Sequence, residues 1–491
     1  MIKSLKNIVS LLLVSVVMVF ASCNSKETCH LNFPVGAAFV ADWGESTTLS
    51  FTYKNAETLE VRNTTGGWSA EIDRATRTLT VTAPASASVK DASKNGSVHV
   101  VAVAKGGDSQ GAIIYGYIVD DVVDMSANGA QSNCYIVPRP NVKYRFNACV
   151  KGNSTESIPT AKIGIVWSDS NDNLEYLHLD KEGYVSFYVS REKDADGNEL
   201  TTSPKGNAVI AAYDSAGTVL WSWHLWLTGG EDPREGFALS NGVEIMSYNL
   251  GAWSNPEGSV NTVDIWEGYG LYYQWGRKDP FMRPEYYDCA KSIDETLYNG
   301  SGDYVYMKIK KSDAKTGTIE YAVKHPMTFL TSTDENQGNW LYGNHRDDLW
   351  SESGAKSLYD PCPHGWRVPS KRAFEVLDID SADDNLPLAD AEKLYGWFLA
   401  DKGNGTKHFF AASGYRSYLM GTISNVNYRD EYPYTPKPWV GYYWTAGTGS
   451  ATATSSAMYF DLNTSRATVN GYKAVTDQKR GNAMQVRCVK E

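Results

Sequence analysis

The residues of this chain that could do chemistry are a few histidines, two acidic pairs and a scattered set of cysteines. His325, His345, His364 and His408 lack the short, fixed spacing with which protein side chains surround a metal ion. Asp334-Glu335 and Asp347-Asp348 are neighbouring carboxylates. Glycosidic cleavage needs two carboxyl groups facing one bond, whereas adjacent residues on a polar loop point apart and read as solvated surface. Cys289, Cys362 and Cys488 lie far apart in sequence, so a thiol site would need the fold to cluster them. No nucleophile stands at a readable spacing from a base. The chain is therefore expected not to be an enzyme and to need no cofactor, and a structural calcium ion is not indicated.

A binding surface is easier to read. The segment from Asn425 to Trp439 concentrates Tyr432, Tyr434 and Trp439, whose flat faces suit sugars or peptides, beside Asn425, Asn427, Asp430 and Glu431, which offer acceptors for hydroxyls or a hard cation. Prolines 433, 436 and 438 restrict the segment and reduce the entropy lost on binding. Two readings stay open: a ligand loop, or a proline-stiffened loop held down by its own aromatics.

The elements that must position such a surface begin after an export signal. Lys3 and Lys6 precede the apolar run Ile8 to Phe20, and Ala21-Ser22-Cys23 follows. A charged start, a short apolar core and small residues at the cut define a cleavable signal, and the core is too short to span a bilayer. Residues 1–22 are read as that signal. The segment resembles the lipobox of bacterial lipoproteins, and the resemblance implies that Cys23 is acylated and becomes the mature N-terminus. Residues 23–34 then form a lipidated tether, held by acyl chains at about 0.8 kcal/mol per buried methylene. With 57 acidic against 46 basic residues the formal charge is −11, which argues against nucleic acid as the partner.

At roughly 150 residues per domain the length suits about three domains. Residues 35–120 alternate apolar and polar side chains in Leu49–Tyr53, Thr78–Thr82 and Val98–Val100, as strands with one buried face do, and Asn95-Gly96 reads as a hairpin turn. Residues 121–230 read as a second β-sandwich, with strands at Ile163–Trp167, Tyr184–Tyr188, Ala208–Ala212 and Val219–Leu227. In the last of these, Trp221, Trp223 and Leu225 share one face and Ser222, His224 and Trp226 the other. Two-sided core is the expected reading over a sugar-stacking platform, with His224 a satisfied buried imidazole. Tyr272, Tyr273 and Trp275 also read as core, and Arg277 with Asp279 as an internal ion pair. Ser370 reads as the cap of a helix over Lys371 to Leu377, with Ala373, Phe374 and Leu377 inward. Met484, Val486 and Cys488 read as one face of a terminal strand.

Residues 237–491 carry ordered blocks: Tyr248-Asn-Leu-Gly-Ala252, Gly270-Leu-Tyr-Tyr-Gln-Trp-Gly-Arg-Lys-Asp-Pro280, Tyr359-Asp-Pro-Cys-Pro-His-Gly-Trp-Arg-Val-Pro369, Ala412-Ser-Gly-Tyr-Arg416, Gly441-Tyr-Tyr-Trp444 and Val486-Arg-Cys-Val489. In this order they resemble the Fibrobacter succinogenes major paralogous domain, a relative of the C-type-lectin-like fold. Ser247-Tyr248 stands where that family usually has Asp-Arg. The resemblance implies a mainly β chain in which two β-sandwich, Ig-like modules precede an α+β C-type-lectin-like domain. It also implies a disulfide between Cys362 and Cys488, and it sets Asn425–Trp439 where such a domain extrudes its ligand loop. Residues 35–120 resemble, more loosely, the BACON-like modules of Bacteroidetes surface lipoproteins. Cys134 and Cys149 flank the turn Pro138–Pro140 and could bridge, while Cys29 and Cys289 have no evident partner.

The expected function is that of an exported, lipid-anchored protein of the outer membrane or cell surface that binds a glycan or a protein without catalysis. The alternative is a fimbrial subunit or accessory tip whose strands pair with another chain, and a third is a formylglycine-generating type of oxidase.

Overall fold

In the computed structural model the described residues are 28–33, 37–86, 95–119, 121–170, 174, 176–189, 203–256, 266–283, 297–343, 345–379, 396–424, 426–427, 437–438, 440–461 and 471–491. They are mainly β, with a short α-helix at Ile319–Lys324 whose cap Thr318 accepts the Tyr321 N–H at 3.0 Å. The chain divides into two compact units, one ending at Val119 and the other running from residue 120 to 491.

The first unit holds a four-stranded sheet in the order Ala38–Ala41, Ser109–Ile118, Asn95–Val103, Thr58–Thr64 and a three-stranded sheet in the order Ser46–Ser50, Thr78–Thr82, Ser69–Asp73. The alternation read in Thr78–Thr82 puts Leu79 and Val81 into a core with Phe39, Val100 and Ile114. Each such side chain stabilises by about 1.5–3 kcal/mol on full burial. Asn95-Gly96 is not a hairpin turn: it opens a strand and pairs with Gly116 and Tyr117. The reason is Trp68, because a Cβ on Gly96 would lie 2.4 Å, and one on Gly116 2.9 Å, from its buried indole. The two glycines make the slot for that ring.

The second unit is built on a sandwich. One sheet runs Asp121–Asp124, Val142–Asn147, Tyr184–Tyr188, Tyr176–Leu179, and the facing one runs Cys134–Val137, Val219–Thr228, Lys205–Tyr213, Lys162–Ser168, Leu297–Tyr298, Tyr304–Val305. Val219–Thr228 is buried on both faces. Trp221, Trp223 and Leu225 fill the sandwich with Phe146 and Phe187, while Trp226 joins Met246, Leu250 and Trp275 on the other side. Tyr272 and Tyr273 are buried as well. A sheet and a core thus both cross the division expected near residue 230: Leu297–Tyr298 extends the sandwich at Ser168, and Cys134 and Trp167 share a cluster with Cys362 and Cys488.

In the C-terminal part, Val489–Lys490 lies between Glu244–Ile245 and Trp366–Arg367. A disulfide joins Cys362 to Cys488, with their Cα atoms 6.0 Å apart. The terminal strand expected through Met484, Val486 and Cys488 is two short strands, Ala483–Met484 and Val489–Lys490, and all three side chains are buried. The helix expected after Ser370 is a run of turns, in which Ala373, Glu375 and Leu377 donate to carbonyls three residues back. At Leu377 the chain straightens and pairs with Leu399–Asp401. That pairing prevails over a short helix without a capping-box acid, although Ala373, Phe374 and Leu377 are buried as expected. Asp279 pairs with Lys278 at 2.6 Å rather than with Arg277, whose guanidinium lies over Phe281 and Trp340.

Candidate functional site

The sandwich ends openly on one side. Cys134–Val137 is the last strand of its sheet and Asp121–Asp124 the last of the other. Between them opens a cleft of about 250 Å³, lined by Val123 and Met125 from one edge and Cys134, Tyr135 and Ile136 from the other. Pro138, Arg139 and Tyr144 close one end. Arg139 is held by Asp121 at 3.0 Å, and its carbonyl accepts the Tyr144 hydroxyl at 2.9 Å. Arg234, paired with Asp232 at 2.7 Å, joins the exposed His364 on the rim. Apolar walls with fixed guanidinium and phenol groups can hold a small or extended ligand by shape and a few hydrogen bonds.

A cysteine, a histidine and an asparagine meet behind this cleft. Cys134 and His224 are neighbours across adjacent strands, with Sγ 3.4 Å from Nδ1, and His224 Nε2 lies 2.9 Å from Asn207 Oδ1. Asn207 donates onward to Asp169 at 3.1 Å and to the Gly251 carbonyl at 3.0 Å. Since Oδ1 can only accept, Nε2 carries the proton and Nδ1 accepts the thiol proton. The set has the composition of a cysteine nucleophile with its base and orienting amide. Its electrostatics are the reverse of an activated one: burial pushes the thiol up and holds the imidazole down to about 3. The pair is neutral and locks two strands together.

This histidine makes stability depend on pH. The unfolded chain binds a proton at His224 near its ordinary value of 6.5, whereas the fold resists it to about 3. Stability from the neutral imidazole is therefore complete above that range and is lost as pH falls through it, by up to about 1.4 kcal/mol per unit. Denaturant midpoints between pH 7 and 5 should fall less steeply for His224→Gln than for the unaltered chain, and equal slopes would show that the imidazole is not the cause.

The other sequence-predicted residues disperse. Asp347 binds the buried Arg480, Asp348 pairs with Arg346, and Asp334 accepts the Tyr418 hydroxyl at 2.7 Å, so neither acidic pair faces a common target. Cys134 and Cys149 are both free thiols, not a bridge. Cys134 opens an edge strand of one sheet, whereas Cys149 sits in the turn after Val142–Asn147 of the other, and its sulfur rests against Gly183. Cys29 is free and buried. Among the described residues no group of three or more His, Cys, Asp or Glu stands together as a metal site. Cys23, Cys289, Asn425, Asp430, Glu431, Tyr432, Tyr434 and Trp439 lie outside the described residues, and the side chain of Asn427 does too. The backbone pairing Val426–Asn427 with Lys437–Pro438 brackets that segment. Sequence reasoning did not find the cleft, because strand order, which decides which edges stay open, has no local signal.

No family model matches the chain, and no curated protein matches it. Solved structures give partial backbone likenesses. The D00-D0 domain of Intimin is 12% identical with a TM-score of 0.16, over 40% of this chain and 96% of that one. Drosophila N-cadherin EC1-4 is 14% identical with a TM-score of 0.17, over 41% and 50%. SGBP-B of a Bacteroides ovatus mixed-linkage glucan utilization locus, in complex with a mixed-linkage heptasaccharide, is 12% identical with a TM-score of 0.12, over 38% and 42%. Likenesses at these scores identify no family and carry no argument about function.

Proposed function

We propose that this chain is an exported, lipid-anchored surface protein that binds a glycan or a protein without transforming it. The cleft beside Cys134–Val137 carries this reading: it is open, mixed in polarity and lined by charges already held in place by Asp121 and Asp232. The nearest nucleophile is a protonated thiol committed to a neutral imidazole, which favours recognition over covalent chemistry. Export is supported by the signal-like start and by the disulfide, a bond that persists in oxidising compartments. The C-type-lectin-like reading of residues 237–491 is supported by the closure of both ends of that region at Ile245 and Val489. In this reading the segment Asn425–Trp439 is a second contact to the same partner.

A specific observation also favours the fimbrial reading. The outer side of Cys134–Val137 pairs with no strand among the described residues, and an extended segment of another chain could add there. Ala130 also lines the cleft, and filling it with Ala130→Trp should abolish binding in either case without lowering the unfolding midpoint. Loss of membrane retention in Cys23→Ala checks the anchor, and retention without acylation would refute it.

A further inference from the structure

The far end of the same sheet carries a second surface. Tyr304–Val305 is its last strand, five strand spacings or about 24 Å from Cys134–Val137, and the chain runs directly on to the exposed strand Lys308–Lys311. Inward and outward positions alternate from Tyr304 to Lys308: Val305 packs against the main core and Met307 against the cluster of Phe281 and Phe329, whereas Ile309, beside Gly421, is itself 41% exposed. The intervening Tyr304 and Tyr306 are 59% and 48% exposed, and Lys308 and Lys310 are exposed too. All four lie exposed within seven residues of chain, the two rings at the strand that ends the sheet and just after it, the lysines on the strand that follows.

The stripe is cationic on an acidic protein. Lys308, Lys310, Lys311 and the nearby Lys315 make no ion pair or side-chain hydrogen bond among the described residues. Of the acids close in sequence, Glu320 holds Lys324 and Asp303 accepts the Asn299 amide, while Asp313, which accepts the backbone N–H groups of Lys315 and Thr316 at 2.8 and 2.9 Å, lies near the Lys315 charge and leaves Lys308, Lys310 and Lys311 unopposed. Lysines alone would serve to keep an edge strand from pairing. That role does not call for two exposed rings directly ahead of them in the chain.

From this surface we infer that the Tyr304–Lys311 stripe binds a linear acidic polysaccharide. Pyranose rings stack on the phenol faces, and carboxylate or sulfate groups meet the lysines. A stripe one strand wide fits a single polyanionic chain better than a flat anionic bilayer. The inference deepens the binding reading by naming a ligand class, at a surface separate from the cleft.

The test uses the lipid-free chain, residues 24–491, titrated with heparin and chondroitin sulfate, with dextran, anionic vesicles and single-stranded DNA as comparisons. The sulfated polysaccharides should bind saturably and weaken as salt rises, while dextran should not bind. Changing Lys308, Lys310, Lys311 and Lys315 together to Gln should cut low-salt affinity by about tenfold or more and flatten the salt dependence. Tyr304→Ala with Tyr306→Ala should weaken binding with the salt dependence kept. The unfolding midpoint should stay unchanged in the lysine variant and fall only slightly in the tyrosine variant, where the Tyr304 ring also lies 5.0 Å from that of Tyr298. Ala130→Trp should bind polysaccharide as the unaltered chain does, so failure of the cleft reading and failure of this one give different results. Polysaccharide binding no better than dextran, equal binding by the lysine variant, or a preference for vesicles or DNA would overturn the inference.

Discussion

Replacing Cys362 and Cys488 together by alanine should lower the stability of the second unit by about 4–5 kcal/mol. The bond joins residues 126 apart, and in the chain-entropy model closing so long a loop removes much of the freedom of the unfolded chain. Its native-side role is equally specific. Cys488 leads directly into Val489–Lys490, the strand clasped between Glu244–Ile245 and Trp366–Arg367, and its carbonyl accepts the Met246 N–H at 3.0 Å. Freed from Cys362, this final strand keeps only a few ladder bonds. Denaturant titration followed by tryptophan fluorescence, with and without reductant, checks this. Reductant should have no further effect on the double variant, and an unaltered midpoint would show that the link is idle.

The second large effect belongs to the polar seam between the sandwich and the C-terminal part. Lys278 and Asp279 are only 2% and 6% exposed, the ammonium donates to the Ser222 carbonyl at 2.9 Å, and the Ser222 hydroxyl donates to Asp279 at 2.6 Å. The ammonium also lies 4.6 Å from the centre of the Trp221 ring. Asp279→Ala strands a buried cation and should cost about 3–5 kcal/mol. Burial already holds the Lys278 pKa below its ordinary value, and Asp279 is among the groups that oppose that shift. Adding Lys278→Met to Asp279→Ala should recover much of the loss, because the uncharged pair leaves no buried ion to desolvate. A single-variant loss under about 1 kcal/mol, or no recovery in the double variant, would mean that water reaches the seam.

What could be read from the sequence was local. Thr78–Thr82 was legible to the residue because two-residue alternation is set within the strand itself, and Tyr184–Tyr188 because a short apolar run stands between turn residues. The burial of Trp221, Trp223 and Trp226 followed from crowding three indoles into six residues. Asn95-Gly96 misled because its glycine answers to Trp68, a long-range partner, and not to a turn. Lys371–Leu377 misled because pairing with a strand some twenty residues on outweighs a weak helix signal. Cys134 and Cys149 looked bridgeable along the chain, but one sits in an edge strand and the other in a turn beyond a strand of the facing sheet. The cleft depends on which strands end their sheets, and nothing in the sequence near it records that order. The Tyr304–Lys311 stripe did have a signal, aromatic then basic residues at every second position, but which face was exposed depended on the cores beneath Val305 and Met307.

Recognition through the cleft without chemistry can be tested by one comparison. The lipid-free chain and its Ala130→Trp variant are applied side by side to an array of glycans and surface proteins, and the bound partner is recovered and weighed. The expected result is saturable binding to a partner that Ala130→Trp abolishes and that is recovered with its mass unchanged; equal binding by the variant, or a partner recovered altered, would rule out recognition through the cleft without chemistry.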